Sequence, residues 1–150
     1  MIYVLAVLIG LAAGLRAVMP IAALSWGAWL GWIDLSATPF GFLGNVIAVI
    51  ILSLLAIAEL VTDQLPNTPS RKVPVQFGTR IVLGAAAGAL LLIDNWLVGA
   101  VFGAVGAVLG TLGGADIRAR MARAFGRDLP AALIEDIVAV ILAFAVVYLA

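Results

Sequence analysis

Four acidic residues lie within or beside strongly apolar sequence, where carboxylates can bind a hard cation or relay protons. Glu59 and Asp63 are four residues apart, which places both on one face of a helix. Glu135 and Asp136 fall in the first turns of the last apolar run. The sequence therefore predicts a substrate or ion site at these acids, with Glu59 and Asp63 as candidate ligands of a metal such as Mg²⁺, Ca²⁺ or Mn²⁺.

The same acids also have a purely structural interpretation. Each can pair with an arginine such as Arg80 or Arg118. Glu135 and Asp136 would in addition favour a helix N-terminus, where the helix dipole is positive. Both interpretations stay open, because spacing along the chain does not show which side chains meet.

Arg16 lies about 21 Å along a helix that begins at Ile2, where a charge needs a carboxylate, a free carbonyl or water. Pro20 lacks the amide that would bond the carbonyl of Arg16. We expect Arg16 to contact an anion or a lipid phosphate, to be the counter-ion of Glu59, or to form a structural ion pair. Arg80 is a second candidate for setting the local field.

The segment P-N-T-P at residues 66–69 interrupts the apolar pattern and contains Asn67, which we include among the candidate ligands. One interpretation is a re-entrant element whose carbonyls face a cavity, because irregular backbone within a membrane must be buried in protein or line water. The other interpretation is a plain loop.

The composition indicates a membrane protein. The 150 residues are 65% hydrophobic and 11% charged, with a mean hydropathy of +1.26, whereas soluble domains have roughly 45–50% apolar and about 25% charged residues. The absence of cysteine and histidine excludes disulfides, thiolate or imidazole metal ligands and Ser-His-Asp catalysis. Eight basic residues balance eight acidic ones, and no feature indicates binding of nucleic acid.

The apolar runs predict an all-α membrane protein, a single domain over residues 1–150 with about five transmembrane helices. The run at 2–33 would be about 48 Å long as one helix, against a hydrocarbon core of about 30 Å. We expect it to tilt, to lie along the interface or to break near Arg16–Pro20. The other spans are predicted at about 42–61, 77–93, 96–115 and 130–150. Glycines three and four apart in the fourth span would let another helix approach closely.

The distribution of charge predicts the orientation of the chain. The second and fourth connections hold Arg71, Lys72 and the four arginines of residues 118–127, whereas the first and third hold only Asp34 and Asp94. By the positive-inside rule the basic side is cytoplasmic. With five spans, the N-terminus is expected in the cytoplasm and the C-terminus outside.

Residues 116–128 form a charged connection that could be a short interfacial helix, because Ile117, Met121 and Phe125 fall close to one face. Its arginines could contact the head groups of anionic lipids. These candidate lipid-binding residues are Arg118, Arg120, Arg123 and Arg127.

Four motifs are spread along most of the length of the chain: G-L-R-A-V-M-P at 14–20, E-L-V-T-D-Q-L-P-N-T-P-S-R at 59–71, G-T-R-I-V-L-G-A-A-A-G at 78–88 and G-R-D-L-P-A-A-L-I-E-D-I-V-A-V at 126–140. Together they resemble the bacterial membrane family catalogued as domain of unknown function 4126. The resemblance implies a compact domain in the bacterial cytoplasmic (inner) membrane and leaves its function open. It points to Arg16, Glu59, Asp63, Pro66, Asn67, Arg80, Arg127, Pro130, Glu135 and Asp136.

These features favour a transporter or channel for an ion or small solute that uses carboxylates and arginines within the membrane. The alternative is a lipid-binding or partner-organising membrane protein without transport. No arrangement of nucleophile and base indicates an enzyme, and no cofactor is expected. Because a bundle of this size encloses little volume, we expect a homo-oligomer, most simply a dimer.

Overall fold

The computed structural model describes residues 1–150 and is entirely helical, without strands. Two short 3₁₀ turns, Gly41–Gly44 and Ile93–Asn95, precede the third and fifth α-helices. The six α-helices are α1 (Ile2–Leu15), α2 (Met19–Leu30), α3 (Val46–Thr62), α4 (Pro74–Leu91), α5 (Trp96–Phe125) and α6 (Asp128–Leu149).

The first apolar run is broken where the sequence predicts. Arg16 is extended, with φ −141° and ψ 113°, and Pro20 occupies the first turn of α2. Proline is tolerated there because the first amides of a helix have no partner within the helix. The break therefore separates α1 from α2 and places Arg16 between them.

The two helices run in opposite directions. The Tyr3 ring near the start of α1 lies 5.7 Å from the Phe102 ring near the start of α5, and the Trp32 ring just after α2 lies 5.2 Å from the Tyr148 ring near the end of α6. Because α5 and α6 are antiparallel, both aromatic pairs lie at one end of the bundle. The two helices, of 14 and 12 residues, are about 21 and 18 Å long and form a helical hairpin, called the α1–α2 hairpin.

This hairpin corrects the predicted topology. The first apolar run enters and leaves the bundle at the same end, so Met1 and Ala150 lie together instead of at opposite ends. The physical reason is that α1 packs against α4, α5 and α6, which the hydropathy of the run does not show. The opposite end, where α3 and α5 finish, carries all eight basic residues and is called the basic end.

The charged connection predicted at residues 116–128 is largely helical. Helix α5 continues without a break to Phe125 and ends at Gly126, whose φ of 73° is readily adopted only by glycine. The predicted interfacial helix is thus the final part of α5. Three helical stretches are long and apolar enough to cross a membrane, namely α4, Ile93–Phe125 and α6, whereas α1, α2 and α3 are shorter.

The core lies around α1, which contacts α4, α5 and α6. Ala6, Ile9, Ala12 and Ala13 of α1 have no exposed surface. The predicted glycine face of α5 is present in this core, where Gly99, Gly103, Gly106 and Gly110 are buried. Close backbone packing therefore holds the hairpin in place.

Candidate functional site

Arg16, at the tip of the hairpin, is completely buried. Its Nε donates to Asp136 Oδ1 of α6 at 2.6 Å, and one terminal nitrogen donates to Asp63 Oδ2, just after α3, at 2.9 Å. The same nitrogen donates to the carbonyl of Leu15 at 3.0 Å. One guanidinium thus joins three parts of the fold, as expected of a charge that must be paired when buried.

Arg80 of α4 binds the end of α1. One terminal nitrogen donates to the carbonyls of Gly14 and Leu15, at 2.9 and 2.8 Å. These carbonyls have no amide partner because the helix stops at Leu15. The other terminal nitrogen lies 3.2 Å from Asp63 Oδ2 and 4.0 Å from Glu59 Oε1. Arg80 therefore stabilises the backbone that the break exposes.

Glu59 binds the first amides of the chain leading into α2. Its two carboxylate oxygens accept from the amides of Ala17 and Val18, at 2.6 and 2.9 Å. A carboxylate there also meets the positive end of the α2 dipole. Glu59 is not paired directly with Arg16, which hydrogen-bonds to Asp63 and Asp136 and lies 3.8 Å from Glu135 Oε2. Of the alternatives open for Arg16, the contacts therefore match a structural ion pair and not a pair with Glu59.

Two further arginines bind Glu135 of α6. Arg71 forms two hydrogen bonds to its carboxylate, one of them at 2.8 Å, and Arg118 donates to Oε2 at 3.3 Å. The neighbouring Asp136 accepts from the Gln64 amide at 2.8 Å. We call this set of contacts the ion-pair cluster. Its charged members are Arg16, Arg71, Arg80, Arg118, Glu59, Asp63, Glu135 and Asp136.

A cavity of about 490 Å³ opens beside this cluster at the basic end. Nine of its 14 lining residues are polar or charged, and they include Asp63, Arg71, Gln76, Arg80 and Arg118. We call this cavity the vestibule. The cluster forms its inner wall through Asp63 and Arg80, so buried charges meet a space large enough for a small ligand.

Most of the predicted site residues meet in the cluster. Arg16, Glu59, Asp63, Arg80, Glu135 and Asp136 are all within it. Asn67 is exposed on the loop after α3 and does not line the vestibule, although its neighbours Pro66 and Thr68 do.

The predicted lipid-binding arginines divide into two groups. Arg118 is inside the cluster and also binds Asp128 through two hydrogen bonds, at 3.0 and 2.6 Å. Arg120, Arg123 and Arg127 are exposed at the end of α5 and after it. Arg120 pairs with Asp116 at 2.9 Å, an i,i+4 contact on the helix surface.

The sequence interpretation did not include Arg71 and Gln64. Both lie near the acids of the 59–71 motif, and this proximity is the only sequence signal for them. As for metal binding, no group of three or more His, Cys, Asp or Glu residues could hold an ion. Glu59 instead faces backbone amides and Asp63 faces two arginines.

The family model described as Domain of unknown function (DUF4126) matches residues 3–149. This match covers all six helices and every residue of the ion-pair cluster. No curated protein and no solved structure matches the chain.

Proposed function

Since the chain belongs to the family described as Domain of unknown function (DUF4126), as its motifs indicate, we propose that this membrane domain is a transporter or channel for an ion or small solute. The observation that carries the proposal is the buried ion-pair cluster at the tip of the hairpin, on the inner wall of the polar vestibule. Charges within a membrane are costly and mark ion and substrate pathways.

The backbone at the hairpin tip supports the same proposal. Transporters often place broken helices beside their substrate sites, where helix ends and free carbonyls contact the solute. Here the carbonyls of Gly14 and Leu15 and the amides of Ala17 and Val18 are bound by Arg80 and Glu59. Glu59 and Arg80 then hold these backbone groups in place beside the proposed path of the solute.

Replacing Glu59 with glutamine is expected to reduce flux at least about tenfold, a barrier change of about 1.4 kcal/mol. The amide side chain has one acceptor oxygen instead of two, so it cannot bind both amides of the tip as the carboxylate does. The measurement is flux in proteoliposomes of the purified protein, with H⁺, Na⁺, K⁺, Mg²⁺, Mn²⁺ and phosphate tested separately.

The matched control is Asp94→Asn, which removes an exposed acid at the other end of the bundle. It should keep wild-type flux, and both variants should elute as the wild-type oligomer. Equal flux in wild type and Glu59→Gln would contradict the role of Glu59. If the folded wild-type protein carried none of these ions, transport itself would be rejected.

The basic end supports a cytoplasmic orientation for the vestibule, because basic residues are retained on the inner side. We place the protein in the bacterial cytoplasmic membrane with the vestibule facing inward and both termini facing outward. The observation behind this orientation is that the hairpin and α6 end together, opposite the eight basic residues.

Cysteine labelling tests this topology, because the chain contains no cysteine of its own. A membrane-impermeant maleimide is expected to label Ile2→Cys and Asp94→Cys in intact cells, and Lys72→Cys only after the membrane is opened. Labelling of Ile2→Cys together with Lys72→Cys would show that the first run crosses the membrane once, contrary to the hairpin.

A second candidate function is lipid or partner binding without transport. Arg120, Arg123 and Arg127 are exposed beside the apolar side chains of Ile117 and Phe125. Exposed arginines next to apolar surface suit the interface of an anionic membrane. Absence of flux, with anionic lipid that co-purifies with the wild type and is lost on Arg→Gln substitution at these arginines, would favour this candidate. A homo-oligomer, most simply a dimer, remains part of either proposal.

A further inference from the structure

We propose that the vestibule binds a small oxyanion of the phosphate or sulfate class, with Arg71, Arg80 and Arg118 as the positive wall. This inference rests on the proposed function, because it names the chemical class of ligand at the same site. It differs from the cation that the acids alone suggest, since three of the five charged residues that line the vestibule are arginines.

The charges along the vestibule wall favour an anion. Three arginines face it against two acids, Asp63 and Asp128. The acids of α6 are further inside, where Arg16 and Arg71 already bind them. Each of the three arginines pairs with a carboxylate, but a guanidinium group has five N–H donors, and the donors that the ion pairs leave free can bind an oxyanion.

Arg80 retains an unused hydrogen-bond donor. Arg80 is only 2% exposed, and its two terminal nitrogens bind backbone carbonyls and Asp63. Its Nε has no hydrogen-bond partner. A buried donor without a partner costs about 1–3 kcal/mol, so small rearrangements that bring an acceptor to Arg80 would be favourable.

Neutral donors complete the wall. Thr68, Ser70 and Gln76 line the same cavity. Helix α4 begins nearby at Pro74 without a side-chain cap, so its first amides have no side-chain partner. Hydroxyl, amide and guanidinium groups are the usual ligands of bound phosphate and sulfate. The residues that carry these hydroxyl, amide and guanidinium side chains all line the vestibule, which gives an oxyanion several donors at once.

The distribution of charge over the whole bundle also favours an anion in the vestibule. All eight basic residues lie at the basic end or beside the cluster, together with six of the eight acids, while Asp34 and Asp94 lie at the opposite end. The vestibule half thus carries a surplus of positive charge. A cleft with such a surplus concentrates anions and speeds their entry.

The experiment measures binding of inorganic phosphate and of sulfate to the purified full-length protein by isothermal titration calorimetry, at constant ionic strength in chloride buffer. Saturable binding is expected for the wild type. The Gln76→Glu variant should bind at least about tenfold more weakly, because it adds a negative charge to the wall without removing an ion pair. Arg120→Gln, which changes an exposed charge outside the vestibule, is the matched control and should bind phosphate and sulfate within about twofold of the wild type.

A short-chain phosphatidylglycerol distinguishes a free oxyanion from a lipid head group. Competition between this lipid and phosphate supports the site with either source, and binding of the lipid alone, weakened by Gln76→Glu, assigns the oxyanion to a head group. The inference is overturned if none of these ligands binds saturably, or if Gln76→Glu binds them as the wild type does.

Two results separate this inference from the proposed function. Oxyanion binding in a protein that shows no flux would retain the site and reject transport. Cation flux that requires Glu59, in a protein that binds no oxyanion, would retain transport and overturn the oxyanion site.

Discussion

Replacing Arg16 with glutamine is expected to lower the free energy of unfolding by about 3–5 kcal/mol. Arg16 has no exposed surface, and its loss would leave Asp136 and Asp63 with fewer positive partners inside the bundle. Removing one member of a buried ion pair lowers stability by far more than the intact pair contributes, because an unpaired charge then remains buried. Equilibrium unfolding in mixed micelles, followed by circular dichroism, measures the change.

A double variant separates loss of pairing from loss of packing. Arg16→Gln combined with Asp136→Asn removes both the guanidinium and the carboxylate that its Nε contacts. We expect it to be more stable than Arg16→Gln alone, which is the non-additivity characteristic of contacting residues. The exposed Arg120→Gln should change stability by less than about 0.5 kcal/mol. A comparable, small effect of Arg16→Gln would show that the cluster is not paired as described.

The sequence predicts the break in the first apolar run. It does not predict whether the chain then continues in the same direction or turns back. Length and Pro20 both indicate that residues 2–33 do not form one straight helix. Hydropathy is the same whether the chain continues across the bilayer or turns back. What decides is the packing of α1 against α4 and α5, and these contacts depend on residues about 70 to 100 positions away in the chain.

The sequence also indicates that α5 continues beyond residue 115, although its charged residues suggest a connection there. Four arginines suggested a connection, yet residues 115–125 contain neither proline nor glycine, and the first strong stop signal is Gly126. Long charged side chains on a helix that leaves the apolar region can reach water, so their presence does not end the helix. The composition changed at that point without a change of secondary structure.

The ionisable residues of the site can be identified because they lie within or beside apolar sequence. Which of them pair with one another cannot be identified in this way. Arg16 and Asp136 are 120 residues apart in the sequence, and Arg71 and Glu135 are 64 apart. Spacing rules describe neighbours on one helix, whereas these contacts join different helices through the turn at the hairpin tip. Arg71 was considered for orientation alone, because nothing local indicates that it reaches α6.

Replacing Gly103 with alanine is expected to destabilise the bundle by about 2–3 kcal/mol. A Cβ at this position would overlap the carbonyl oxygen of Gly84 and press on the Cα of Gly88, while the Cβ of an alanine at position 10 would overlap Gly103 itself. The obstacles to a Cβ at position 103 are backbone atoms of α4, which cannot move aside as a side chain can. The same unfolding measurement in micelles applies.

Gly113→Ala is the matched control, because it makes the same change on the same helix. A Cβ there meets no atom within 4 Å, so its effect should stay within about 0.5 kcal/mol. Alanine also has the higher helix propensity, which works against any loss in both variants. The difference between them therefore measures the close contact of α5 with α4. If Gly103→Ala were as stable as Gly113→Ala, the close approach of the α4 and α5 backbones would be contradicted.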